Sequence, residues 1–253
     1  MPVALITGAS SGLGEEFARQ LATGGADLVL VARDAKALEA LAGRLRDEYG
    51  VAADVLAADL VSEAGVAAVA ARLADADHPI DLLVNNAGFG LPLHFASNDI
   101  ADEVAHLRIH VEAPMRLMHA ALGVMRGRGG RIINVASVAA FIPRSTYSAN
   151  KRWLVGFSAW ANAEYARDNV SVTALCAGFT HTNFHERMGL APGKEGISPL
   201  LWLNAPDVVR EGLRDAARGK ARSVPSLRYK VIVALTGILP SGLLARLGRQ
   251  GRM

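Results

Sequence analysis

Short apolar runs alternate with longer stretches whose apolar residues recur every three or four positions, from the N-terminus to about residue 176. The first run, Val3-Ala4-Leu5-Ile6-Thr7, predicts a strand, and Glu15 to Thr23 a helix closed by Gly24-Gly25. Leu28 to Ala32 reads as a second strand, Lys36 to Tyr49 as a helix ended by Gly50, and Ala52 to Ala57 as a third strand. Ser62 is placed to cap a helix that runs to about Ala76. Pro79 to Val84 and Arg131 to Val135 give the fourth and fifth strands, joined by one long helical region from Ile100 to Met125. Tyr147 to Arg167 is helical, and Val170 to Cys176 is the sixth strand. Six strands linked by helices predict an α/β fold with a single doubly wound parallel sheet and helices on both faces. No linker, repeat or low-complexity segment breaks the series, so one domain is expected over residues 1–253.

Past Cys176 the rhythm changes. Residues 180–200 carry glycines and prolines among hydrophobics and read as a lid over the substrate cleft. Pro206 to Arg218 predicts a helix, and Arg222 to Pro225 a short last strand. Residues 226–253 form an apolar and basic extension. Its run Val231 to Pro240 is too short to cross a membrane, and leaves a lid or interface element or a surface anchor as readings.

Charge sharpens that picture. The net charge of +3 conceals a tail, from Ala216 onward, with eight basic residues and no acidic one, while the rest has 19 basic against 24 acidic. Such a tail attracts anions, including a membrane surface as a peripheral contact. No zinc-finger spacing or RNA-binding aromatic signature accompanies it, which argues against nucleic acid. The single cysteine, Cys176, excludes an intramolecular disulfide and any cysteine-rich metal site, and no metal is expected. The N-terminus enters a strand at once without a signal-like segment, so a cytoplasmic location is expected.

The candidate chemistry lies at the strand ends. Thr7-Gly8-Ala9-Ser10-Ser11-Gly12-Leu13-Gly14 follows the first strand, and its glycines let the backbone approach a pyrophosphate at the next helix N-terminus. The spacing is G-x-x-x-G-x-G. The second strand ends Ala32-Arg33-Asp34, where an acidic tip residue would bind the ribose of NAD and an arginine the 2′-phosphate of NADP. Arg33 favours NADP(H) over NAD, with Asp34 read as cap of the next helix. Near the middle, Ser137 precedes Tyr147 by ten positions and Lys151 follows Tyr147 by four. On a helix Tyr147 and Lys151 share a face, and a nearby cation stabilises phenolate, so Lys151 is expected to lower the Tyr147 pKa. A phenol so placed exchanges a proton with an alcohol or carbonyl oxygen.

Taken in order, Thr7 to Gly14, Asp59-Leu60, Asn85-Asn86-Ala87-Gly88, Ser137, Tyr147 and Lys151 resemble the short-chain dehydrogenase/reductase family over about residues 3 to 182. The resemblance implies a Rossmann-type fold, a nicotinamide cofactor and carbonyl–alcohol redox chemistry in a homodimer or homotetramer. It implies that Gly8, Ser10, Ser11, Gly12, Leu13 and Gly14 seat the cofactor. Asp59 and Leu60 would meet the adenine, Asn86, Ala87 and Gly88 the cofactor and sheet, and Gly178, Thr180 and Thr182 the nicotinamide end. Tyr147 becomes the general acid/base, Ser137 the partner of the substrate oxygen, and Lys151 the ribose ligand.

Two positions depart from the family. Ala177-Gly178 stands where Pro-Gly is usual, and His110 stands where the catalytic Asn is expected. His110 is read as holding the water that relays protons to Lys151. Phe89, Leu91, Leu93, Phe95, Phe141, Phe179 and Phe184 fall in or beside the strand-end loops and suggest an apolar small-molecule carbonyl or alcohol: lipid-like, steroid-like or terpenoid. The alternative is a non-catalytic NADP-binding regulator on the same fold.

Overall fold

The structure is a computed structural model that describes residues 1–182, 198–240, 242–244 and 246. Its elements run β1 (Val3–Thr7), α1 (Gly12–Thr23), β2 (Asp27–Ala32), α2 (Ala35–Tyr49), β3 (Ala53–Ala57), α3 (Glu63–Leu73) and β4 (Leu82–Asn85). There follow α4 (Ile100–Leu107), α5 (Ala113–Met125), β5 (Gly130–Ser137), α6 (Thr146–Glu164) and β6 (Val170–Ala177). The chain continues with β7 (Thr180–His181), β8 (Leu203–Asn204), α7 (Ala205–Ala217), β9 (Arg222–Ser223) and α8 (Leu227–Thr236).

Seven strands pair in parallel in the order β3-β2-β1-β4-β5-β6-β9. Side chains alternate across the sheet, so each strand feeds two cores. Leu5 of β1 joins Leu83, Leu117, Leu154 and Val172 on the face covered by α3, α5 and α6. Its neighbours Ala4 and Ile6 join Phe17, Leu38, Leu41 and Val208 beneath α1, α2 and α7. Strand order reverses between β1 and β4, which opens a crevice at their carboxyl ends. Both caps expected from sequence form: the Ser62 Oγ accepts from Gly65 N at 3.0 Å and the Asp34 Oδ1 from Ala37 N at 3.0 Å.

The predicted helix from Ile100 to Met125 is interrupted. Arg108–Glu112 forms a π turn between α4 and α5. Pro114, near the start of α5, has no N–H to give the His110 carbonyl, and its ring would crowd that oxygen, so the backbone widens there. Strand β4 runs from Leu82, and Asp81 just before it still bonds both neighbours, its N–H donating to the Val3 carbonyl at 2.8 Å and its carbonyl accepting from Arg131 N at 2.9 Å, while its carboxylate accepts from Val3 N at 2.7 Å and pairs with Arg128 at 2.8 Å. Of the predicted lid, residues 183–197 lie outside the described residues, Phe184 among them. Its flanks are joined by the parallel pairing of β7 with β8.

A buried polar ladder crosses this apolar frame. Asn85 Nδ2 donates to Asn134 Oδ1 at 2.9 Å, Asn134 Nδ2 to Ser158 Oγ at 2.9 Å, and Ser158 Oγ to the Leu154 carbonyl at 2.7 Å. It links β4, β5 and α6. Replacing Asn134 by Leu leaves two buried partners without their bonds, so Asn134→Leu is expected to destabilise the fold by about 2–4 kcal/mol. Urea unfolding with an unchanged slope checks this, and a wild-type midpoint would contradict it.

Candidate active site

The carboxyl ends of β1 and β4 are stitched together by Thr7 and Asn86. The Thr7 Oγ1 accepts from the backbone N–H groups of Asn86 (2.9 Å) and Ala87 (3.0 Å) and donates to the Val84 carbonyl at 3.3 Å. The Asn86 Nδ2 donates to the carbonyls of Thr7 (2.9 Å) and Gly8 (3.2 Å). Gly8 and Gly12 both lie at positive φ, +65° and +59°. A Cβ on Gly14 would overlap the Gly8 carbonyl, so turn and helix meet as closely as backbone allows. Ser11 precedes α1 and places no side-chain hydrogen bond on its first N–H groups, while Ser10 and Leu13 lie partly buried beside it. Gly12 faces Thr182, whose Cβ would stand 3.3 Å from a Cβ added there. A turn with glycine at its two positive-φ positions, an N-terminus not capped by its serine and a threonine across from it form a cradle that fits a dinucleotide pyrophosphate.

The rest of the predicted cofactor path lines the same edge. Arg33 is exposed at the β2 tip, beside an Asp34 carboxylate already engaged at α2. Asp59 is exposed and holds its own turn through Val61 N at 3.0 Å; Leu60 is buried in the core. The Thr180 hydroxyl donates to the Gly178 carbonyl at 2.9 Å.

Strand β5 ends at Ser137, whose Oγ accepts from Ala139 N at 3.1 Å and hydrogen-bonds the Tyr147 side chain. Ser145 caps α6, with its Oγ accepting from Ser148 N at 3.3 Å, and this sets Tyr147 in the first helical turn. Lys151 follows one turn later and is buried, with Nζ 5.6 Å from the Tyr147 ring centroid. The three residues expected to act together are together.

Their electrostatics differ from expectation. Burial pushes the Tyr147 phenol up to about 12, offset only by the Ser137 hydrogen bond. Burial likewise brings the Lys151 ammonium down to about 7. Lys151 does not lower Tyr147 here because burial removes its own charge near 7, well below the range in which the phenol ionises, while its Nζ donates to the Val135 carbonyl at 2.7 Å. Cys176, beneath them, is buried and its thiol is pushed up to about 12 by desolvation.

His110 sits in the π turn, 2 % exposed, with Nε2 2.8 Å from the Phe89 carbonyl and its ring edge-to-face with Tyr147 at 5.4 Å. A Cβ on Gly88 would overlap this imidazole. Burial first, then the Lys151 charge and His106, hold its pKa well below the usual 6.5.

Three neighbours were not among the candidates. His106 is fully buried against His110, at 4.5 Å between ring centroids, and Asn150 lies 3.2 Å from its Nδ1. Both were readable in principle: four residues from His110 and next to Lys151, they put polar groups on helix faces that must be buried. Tyr229 of α8 was not readable, since it acts across about fifty residues. Its hydroxyl accepts from Phe179 N at 3.1 Å and donates to the Leu201 carbonyl at 2.7 Å, and its ring covers Gly178. Where the Pro-Gly of the family is Ala177-Gly178, Tyr229 holds this backbone instead. Helix α8 thus packs Tyr229 and Val233 inward and leaves Leu227, Val231 and Leu235 exposed, with Ile238 exposed just beyond its end.

The short chain dehydrogenase family model matches residues 2–191. The chain belongs to the short-chain dehydrogenase/reductase family. Among curated relatives, the 3-oxoacyl-[acyl-carrier-protein] reductase of Aquifex aeolicus is 30% identical over 185 residues, 72% of this chain and 75% of that one. A short-chain dehydrogenase from Sphingobium yanoikuyae, solved in complex with NADPH, is 34% identical with a TM-score of 0.85, covering 94% of each chain. The bulky-bulky ketone specific alcohol dehydrogenase from Comamonas testosteroni is 30% identical with a TM-score of 0.80, covering 94% of this chain and 93% of that one. The family's doubly wound, Rossmann-type sheet is the one described above, and the chain is an oxidoreductase of this family.

The buried imidazoles fix an acid response. His106 is lowered to about 4 by desolvation, so between about pH 4 and 6.5 the unfolded chain binds more protons than the folded one. Stability therefore rises with pH across that window and is lost as pH falls through it. The upper part of the window lies above the carboxylate range. His106→Phe is expected to flatten the slope of unfolding free energy there, on the order of 3 kcal/mol over the full window. An unchanged slope in chemical denaturation series at several pH values would contradict it.

Proposed function

We propose that the protein is an NADP(H)-dependent oxidoreductase that interconverts an apolar ketone and a secondary alcohol, with Tyr147 as general acid and base. The observation that carries this reading is the convergence of Ser137, Tyr147 and Lys151 at the strand edge that also bears the glycine cradle. It works as one catalytic domain, in a cytoplasmic homo-oligomer. Bound NADPH supplies the hydride that the carbonyl carbon accepts.

The chain's residues handle the oxygen. Ser137 donates a hydrogen bond to it and stabilises developing negative charge. Tyr147 gives it the phenolic proton, so carbonyl plus hydride plus proton becomes alcohol. A phenol at about 12 is protonated at neutral pH, the state that reduction requires. Lys151, with a pKa brought to about 7, exchanges protons near neutrality and returns one to Tyr147. In this reading Lys151 also meets the nicotinamide ribose. His110 Nε2 faces a carbonyl and is the protonated nitrogen, leaving Nδ1 as an acceptor for the relay water.

Phe89, Leu91, Leu93, Phe141 and Phe179 are half-buried and Phe95 is exposed, all in or beside the loops at this edge, and they support an apolar substrate. Similarity to a ketone-specific alcohol dehydrogenase and to a 3-oxoacyl reductase supports the same class. A non-catalytic NADP-binding regulator would have no use for a Ser137–Tyr147 hydrogen bond beside a buried lysine.

Cofactor choice rests on Arg33. Its guanidinium is exposed at the tip that faces the adenosine end, and Asp34 is spent on a helix cap. NADPH is expected to bind at least tenfold more tightly than NADH, about 1.4 kcal/mol, and Arg33→Ala to erase most of that preference. Fluorescence titration measures both, and equal affinities in the wild type would sink the assignment.

Proton transfer is tested by a mutation series under an NADPH-linked ketone assay. Tyr147→Phe should fold and bind NADPH while turnover falls by roughly 10² or more. His110→Asn should retain substantial turnover, and His110→Ala should lose much of it. Full activity in Tyr147→Phe would mean that another group supplies the proton, and full activity in His110→Ala would remove the relay.

A further inference from the structure

His106 of α4 and Asn150 of α6 are both buried, and they hydrogen-bond each other at 3.2 Å. We propose that His106, locked by Asn150, is a positioning residue that sets the ring plane His110 presents to Tyr147 and Lys151. The proposal rests on the relay role of His110 given above.

Two imidazoles one helical turn apart lie edge-to-face, their planes at 70°, and both face the Tyr147 ring, at 5.9 Å from His106 and 5.4 Å from His110. Each is fixed at one nitrogen. The Asn150 amide Nδ2 donates to His106 Nδ1, so that nitrogen is the acceptor and the proton sits on Nε2. The Phe89 carbonyl accepts from His110 Nε2, so His110 carries its proton there too and keeps a lone pair on Nδ1. Of the other two nitrogens, His106 Nε2 also faces the Phe89 carbonyl, and His110 Nδ1 is buried without a protein partner. One is a donor and the other an acceptor, on rings in contact.

Burying these two polar rings carries a desolvation cost that an apolar pair would avoid. What the pair supplies is orientation. Both rings draw on the Phe89 carbonyl, so the His106 N–H helps to hold the acceptor that fixes the plane of His110. The Asn150 donor opposes protonation of His106, because an imidazolium would set N–H against N–H. The charged and titratable groups that face His106 are Glu103 on its own helix, His110 in the π turn and Lys151 and Tyr147 on α6. The first draws a proton toward the ring and Lys151 repels it, while burial outweighs both.

His106→Phe keeps a ring against His110 and removes both nitrogens. Ketone reduction with NADPH, NADPH affinity and the solvent deuterium isotope effect are measured for this variant, for His110→Asn and for the double variant. The expected result is a fall in kcat of about tenfold, with KM and NADPH affinity within about twofold and a larger isotope effect. In the His110→Asn background the same change should cost almost nothing further, since its effect runs through His110. His106→Gln, which restores a donor, should recover part of the rate. Wild-type kcat in His106→Phe, or an equal loss in both backgrounds, overturns the proposal. Imidazole ¹⁵N NMR of the wild type is the arm independent of turnover and of any variant's folding. Nε2–H tautomers at both histidines are expected, and an Nδ1–H tautomer at His106 overturns the proposal. A wild type that reduces no ketone contradicts the functional reading instead, and the tautomers then decide the positioning claim alone.

Discussion

The site depends on hydrogen bonds that tie the ends of parallel strands together where the strand order reverses. Without them the crevice between β1 and β4 would be two independent turns. Thr7 and Asn86 join those turns through both side chains and backbone, and the Asn85–Asn134–Ser158 ladder carries the tie across β5 into α6. Each group is buried or partly buried, so each bond is made against the cost of an unsatisfied polar atom. The glycine turn and the helix that bears Tyr147 and Lys151 are thereby held to one frame, and their separation does not drift.

On that frame the protein gathers four titratable side chains, Lys151, His106 and His110 buried and Tyr147 half-buried. Desolvation acts on all four in the direction of neutrality, raising the phenol and lowering the lysine and both imidazoles. A site tuned this way keeps its phenol and imidazoles neutral at pH 7 and brings the lysine close to its midpoint. The π turn is what brings His110 to this cluster, and Pro114 is what makes the turn. Tyr229 performs a comparable service at the other wall, where it fixes the backbone at Gly178 and Phe179 from a helix far along the chain.

Much of this was legible in the residues. Alternating apolar runs gave all six long strands, because buried parallel strands need continuous Val, Ile and Leu. The Ser137, Tyr147 and Lys151 spacing marked the site because strand end and helix start are local events. What escaped was non-local or collective. The π turn hides inside an unbroken helical periodicity, with a single proline as its trace. The upward shift of Tyr147 depends on how deeply the finished fold buries it, and spacing to Lys151 alone pointed the other way. Tyr229 is paired by tertiary packing that no window of sequence contains.

The central claim is that a ketone carbon receives hydride from the nicotinamide of a dinucleotide whose pyrophosphate sits in the glycine cradle, while the protein supplies the proton. NADPH carrying deuterium on one face of its C4, incubated with the protein and a bulky apolar ketone, tests this directly by mass spectrometry of the product. The account predicts an alcohol with one deuterium on the carbinol carbon from one C4 face and none from the other. Product without deuterium from either face, or carbon-bound deuterium acquired only from heavy water, would contradict it.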